Sequence, residues 1–176
     1  PSLVFNSRDP IVAGVSVDFS QFGGGSAVVA SNSSGTWTAT YTLVAGSLDA
    51  TSANVVVSAT DDAGNASATA DSTNATVDNQ LPVVTDAKLS LSGASGTGGA
   101  FKVGDTVTAT WNNTSGGDNN SDIAGVTVDF SQFGGGSAVA ASNSSGTWTA
   151  TYTLVVGSLD ATSANVVVSA TDDAGN

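Results

Sequence analysis

Residues 146–154 read GTWTATYTL, with Trp148, Ala150 and Tyr152 alternating with Thr147, Thr149, Thr151 and Thr153. A period of two puts each set on its own face of a β-strand, so one face is core and the other a row of hydroxyls. The same nine residues stand at 35–43. Outward from them, residues 13–65 and 124–176 are one 53-residue text written twice at an offset of 111, differing only at Ser16/Thr127, Val29/Ala140 and Ala45/Val156. Repetition at domain length marks a tandem array. It favours properties that scale with copy number, such as reach and valency, over a unique catalytic centre.

The period also predicts how the chain divides. Residues 66–78 (ASATADSTNATVD) follow the first DDAGN, and 79–111 open the second unit. The expected domains are 1–78, a partial repeat without its first two strands, and 79–176, a repeat without its last. In the second unit strands are expected at 82–92, 101–111, 123–130, 136–142, 146–154 and 163–171, with turn signals about every ten residues. The alternation sets Phe101, Val103, Val107, Ala109 and Trp111 on one face of the second of these. The expected core is Trp111, Val126, Val128, Phe130, Trp148, Tyr152, Val166 and Val168, with their first-unit equivalents. The fold class predicted is all-β: tandem immunoglobulin-like antiparallel β-sandwiches with about seven strands per repeat.

Composition narrows the chemistry. All 15 acidic residues are Asp, opposed only by Arg8, Lys88 and Lys102, for a net charge of -12. Asp belongs in turns, whereas the missing Glu is a helix-surface residue. So negative a field repels nucleic acid and attracts cations such as calcium. The absence of Cys, His and Met excludes disulfides, thiolate nucleophiles, imidazole bases and N- or S-ligated zinc or copper. Hard-oxygen metal chemistry remains. No run of 18 apolar residues suggests a membrane span and no signal peptide stands in the sequence, so any export signal is expected outside it.

Three stretches carry a family resemblance: DNQLPVVTDAKLSLSG at 78–93, KVGDTVTATW at 102–111 and TDDAGN at 171–176. Together they resemble the bacterial immunoglobulin-like repeats of very large surface adhesins, over essentially the whole chain except residues 1–12. The resemblance implies an extracellular, cell-surface stalk that holds adhesion modules away from a cell, often with calcium at domain junctions. The DN-x-x-P linker is also similar to the junctions of cadherins.

In that topology the junction at Asp78, Asn79, Gln80, Leu81 and Pro82 is expected to face the loop holding Asp118, Asn119, Asn120 and Asp122 and the loop holding Asp172, Asp173 and Asn176. Asp49 would approach from a loop of the first unit. These are the candidate calcium ligands, joined by Asp61, Asp62 and Asn65 in the equivalent first-unit loop, with Asp9 nearby. Clustered carboxylates repel one another unless a cation intervenes. The competing reading is that such Asp residues cap loop amides.

The alternating Thr ladders at 36–42 and 147–153 invite a second functional class, an adhesive module that grips glycan or ice, although Thr is also simply a good strand former. Glycine runs in GGAF and QFGGGS lead into no helix and read as turns, not phosphate cradles. The adjacent pairs Asp61/Asp62 and Asp172/Asp173 give no geometry for acid-base catalysis across a substrate, so no enzyme is expected. Expected partners are further copies of the repeat, in cis or between subunits, with open strand edges allowing assembly of a filament by β-complementation, PSLVF at 1–5 being one candidate incoming strand. Surface glycans are a further candidate partner.

Overall fold

The computed structural model describes residues 11–157 and 159–176. Asp9 and the PSLVF segment lie outside the described residues. The chain forms two compact units, Pro1–Gln80 and Leu81–Asn176, a boundary two residues beyond the one expected at 78/79. Regular structure is β-strand, with 3-10 turns of three residues. Among the described residues no helix is long and apolar enough to cross a membrane, which says nothing of a β-barrel.

The first unit contains β1 (Val12–Asp18), β2 (Val28–Val29), β3 (Ser31–Ser33), β4 (Thr36–Thr38), β5 (Asp49–Ala53), β6 (Val56–Asp61), β7 (Ala66–Ala70) and β8 (Ala75–Asp78). They pair as sheets β2-β1-β6-β7, β3-β4 and β5-β8, all antiparallel. The second unit contains β9 (Leu89–Ser92), β10 (Thr106–Asn112), β11 (Ile123–Asp129), β12 (Val139–Ala140), β13 (Ser142–Ser144), β14 (Thr147–Thr153) and β15 (Val167–Asp172). Its sheets are β13-β14-β10-β9 and β12-β11-β15.

The two sheets of the second unit share their apolar faces. Val107, Ala109 and Ala150 from one pack with Val128, Phe130 and Phe133 from the other, and Trp111 and Trp148 close the next layer against Val126. Of the expected core, Trp111, Val126, Val128, Phe130 and Trp148 are buried, while Tyr152, Val166 and Val168 are half-buried and packed against it. Val103 is exposed, because residues 101–105 turn before β10 begins and so leave the strand's face register.

Identical sequence yields identical strands only where a partner strand stands among the described residues. β1, β2, β3 and β6 recur 111 residues on as β11, β12, β13 and β15. TWTATYT is a strand over three residues in β4 but over all seven in β14, where β10 pairs along its whole length from Thr106↔Thr153 to Asn112↔Thr147. DATSA forms β5 against β8 in the first unit, yet its copy at 160–164 is no strand. A strand's hydrogen bonds are satisfied by its neighbour, so neighbour supply decides where these equal propensities are realised.

Two local devices fix the turns. Ser34 and Gly35, at φ 52 and φ 87, make the two-residue hairpin that joins β3 to β4, and Ser145 and Gly146 repeat it. Both central residues need positive φ in a hairpin turn of this hand. In the glycine run after β11, a Cβ on Gly135 would stand 2.8 Å from Phe130 Cβ and 2.9 Å from the Tyr152 ring, whose hydroxyl donates to the Gly134 carbonyl at 3.0 Å.

Candidate functional site

The acidic and amide residues singled out in the sequence include loop clasps and acid pairs with one half-buried and one exposed member each. Asp61 is a clasp. Its Oδ1 accepts the Ala63 and Asn65 backbone N–H groups at 2.9 and 2.8 Å, and its Oδ2 accepts Asn65 Nδ2 at 2.8 Å. Hydrogen bonds from the Asn65 side chain and backbone hold the Asp61 carboxyl below its ordinary range. Asp172 repeats the arrangement with Asn176, accepting its backbone N–H at 2.8 Å and its Nδ2 at 3.1 Å. Burial, with Asp172 only 2% exposed, pushes that carboxyl up, and the Asn176 bonds more than offset it, so the net direction is down. DDAGN thus closes its own loop through the first Asp and the final Asn. Asp62 donates its backbone N–H to the Ile11 carbonyl, and its side chain lies at the surface.

Asp118 and Asn120 tie the entry of the second unit to the loop after β10. Asp118 accepts Thr85 Oγ1 at 2.6 Å, Thr85 N at 2.9 Å and Trp111 Nε1 at 2.7 Å. Partial desolvation opposes its ionisation, but the Thr85 and Trp111 bonds, aided by Lys88, draw its pKa down. Asn120 grips Val83 from both sides, Oδ1 accepting Val83 N at 2.8 Å and Nδ2 donating to Val83 O at 2.9 Å. These side chains do for residues 83–85 what a neighbouring strand would do, which is why the first strand, expected over 82–92, is regular only in β9. Asn119 sits beside them in the left-handed conformation at φ 56.

Asn79 is a clasp in the first unit. It is buried, its Oδ1 accepts Leu48 N at 2.8 Å, and its Nδ2 donates to Val44 O at 2.8 Å. Gln80 N donates to Asp78 Oδ1 at 2.9 Å. Asp49 lies in β5 and not in a loop, with Asp78 as its cross-strand partner in β8. Like charges facing across a strand pair destabilise it unless a cation or solvent compensates. In the second unit, Asp173 N donates to the Asp122 carbonyl at 3.0 Å, and a carboxylate oxygen of each lies within 4.8 Å of the other. Calcium takes about six to eight oxygens. Asp122 and Asp173 bring one carboxylate oxygen each to the same place.

Sequence reasoning placed Asp105 inside a strand and assigned it no role. The structure buries it in the turn before β10, where its carboxylate accepts Ser95 Oγ at 2.5 Å and the backbone N–H groups of Ser95 and Lys102 at 3.0 Å each, with Lys102 Nζ at 3.3 Å. Lys102 Nζ also donates to Ser95 Oγ. The Ser95 hydroxyl, followed by the two backbone donors, holds Asp105 well below the usual carboxylate range. The signal available was Gly104-Asp105 ahead of an apolar-alternating run, a turn dipeptide at a strand entry.

The outer face of the second unit's four-stranded sheet is a hydroxyl array. Strand register aligns Ser142, Thr149, Thr110 and Ser90 in one row and Thr151, Thr108 and Ser92 in the next. Thr106 and Thr153 complete it with hydroxyls 3.1 Å apart. In the first unit the equivalent face spans only β3 and β4. Comparisons with family models, curated proteins and solved structures find no match to this chain.

Proposed function

We propose that this chain is a length of structural, non-enzymatic stalk or fibre, extracellular and built of immunoglobulin-like β-sandwich repeats. The observation that carries the reading is the duplication itself: one 53-residue text whose strands β1, β2, β3 and β6 recur 111 residues later. A module reused in series works by adding length, and its resistance to extension comes from the hydrogen-bonded ladders of each copy. Imaging of the intact protein tests this. A thin thread beaded at regular intervals is the expected result, and a compact particle would overturn it.

Calcium belongs to the same reading as a stiffening ligand of the acid pairs, with Asp122 and Asp173 contributing carboxylates in the second unit. Chelation is expected to lower the melting temperature. Identical melting with and without chelator would remove the ion from the account.

A second reading is favoured by one specific observation, the uncharged hydroxyl rows across β13, β14, β10 and β9. On this reading the face grips glycan or ice. Replacing Thr110 and Thr149, or Thr38 and Thr40 in the first unit, by tyrosine separates the two: an adhesive face loses binding, while a stalk keeps its length and stability nearly unchanged.

A further inference from the structure

Seven Asn-x-Ser/Thr tripeptides stand in the chain, beginning at Asn32, Asn65, Asn74, Asn112, Asn113, Asn119 and Asn143. Such a tripeptide on a protein surface accepts an N-linked sugar when a transferase can take up its three residues and reach the asparagine nitrogen. The fold meets both conditions at two of them. Asn32-Ser33-Ser34 and Asn143-Ser144-Ser145 are exposed throughout and run onto the tips of the β3-β4 and β13-β14 hairpins. Asn143 Oδ1 accepts Gly146 N at 2.9 Å, and Asn32 Oδ1 accepts Gly35 N at 3.1 Å. A backbone N–H can only donate, so the side-chain atom facing it is the oxygen, and Nδ2 is turned away. Neither Nδ2 has a hydrogen-bond partner among the described residues.

The fold withholds the other five. Asn65 Nδ2 is held by Asp61 at 2.8 Å, and Asn113 Nδ2 by the Asn120 carbonyl at 3.0 Å. Asn112 is half-buried in β10, its Oδ1 taken by the Thr114 hydroxyl of its own tripeptide at 2.7 Å. After Asn74 comes Ala75, half-buried and paired with Ala53, and after Asn119 comes Asn120, half-buried and fastened to Val83. We propose that Asn32 and Asn143, one position per repeat, are acceptor sites for an N-linked sugar. In the transfer, Nδ2 bonds to the anomeric carbon of a sugar phosphate donor while the bond from that carbon to the phosphate oxygen breaks. The phosphate leaves with the electron pair, and Nδ2 gives up one of its two protons. Oδ1 keeps its bond from the glycine, so the hairpin survives the modification. The proposal rests on the extracellular part of the reading above and goes beyond it.

The test is peptide mass mapping of the protein recovered from outside its source cells, the two copies being told apart by Val29 and Ala140. Expected is sugar mass on the peptides holding Asn32 and Asn143, with Asn65, Asn112 and Asn113 bare. Asn32→Asp and Asn143→Asp keep the oxygen that accepts the glycine N–H and remove the nitrogen, so each is expected to lose its sugar while the bare chain melts unchanged. The purified folded chain, given a soluble N-glycosyltransferase and a nucleotide-activated hexose, is expected to take hexose at Asn143 about 100-fold faster than at Asn113, which must first open from the fold. Both asparagines bare on extracellular protein would overturn the proposal and leave the location standing. Equal rates at Asn113 and Asn143 would also overturn it, since access would not then be what selects the site. Protein found only inside the cell would overturn the location and the proposal together.

Discussion

Trp111 Nε1 donates to Asp118 Oδ2 at 2.7 Å, so the most buried indole of the second unit has its one polar atom satisfied by a carboxylate that sequence reasoning assigned to calcium. Its cross-strand partner Trp148 has no partner for Nε1 among the described residues. Removing a donor that has an acceptor leaves desolvation unpaid, whereas removing one that has none does not. Trp111→Phe is therefore expected to cost about 1–3 kcal/mol more than Trp148→Phe, beyond their shared loss of packing. Urea denaturation measures the difference.

Asp118→Ala is predicted to destabilise the second unit by about 1–3 kcal/mol through the orphaned Trp111 N–H. The loss should be the same in chelator and in calcium, because the carboxylate's bonds run to Thr85 and Trp111. A loss present only when calcium is supplied would restore Asp118 as a ligand.

Acid sensitivity follows from the carboxylates whose folded pKa values are depressed: Asp18, Asp61, Asp105, Asp118, Asp129 and Asp172. A depressed group contributes stability above its unfolded pKa of about 3.9 and loses it as pH falls toward the folded value. With no His in the chain, melting temperature is expected to be flat from about pH 8 to 5 and to fall below about pH 4. Asp105→Asn should be less stable at neutral pH and flatter in acid, read from melting curves against pH.

Gly135→Ala places a methyl 2.8 Å from Phe130 Cβ and 2.9 Å from the Tyr152 ring, neither of which is a flexible chain end. Overpacking of this kind costs about 1–3 kcal/mol. Gly136→Ala, whose Cβ would meet Val139 at 3.5 Å, is the control expected to be much milder. Chemical denaturation of the two variants gives the comparison.

The two copies of TWTATYT offer a test in which sequence is held constant. Amides of 150–153 are laddered to β10, while 39–42 lie beyond the end of β4. Hydrogen exchange at 39–42 is expected to be at least about 100-fold faster than at 150–153, since backbone with no strand partner among the described residues opens at little cost. Equal protection would mean that local propensity, not partner supply, sets strand length.

The all-β class and most strand positions were legible because alternation survives wherever one face is buried, as in 106–112 and 147–153. What escaped was whatever side chains and tertiary pairing decide. The expected strand 136–142 is β12 and β13, which join different sheets, a switch that carries no period of its own. The strand expected over 163–171 begins only at Val167, as its first-unit copy begins only at Val56, after the break at Asn54 and Val55 that follows β5. Among the site residues, composition could not separate the clasps from the acid pairs. Asp61/Asn65 and Asp172/Asn176 bond across four residues, and that closure is invisible until the loop is folded.

Mechanical unfolding of single chains held at both ends tests the central claim, that the protein is a series of separately folded load-bearing bricks. Two separate force peaks are predicted, each releasing roughly 250–300 Å of chain at about 3.4 Å per residue less the folded length. One cooperative rupture of the whole chain, or extension without measurable resistance, would contradict it.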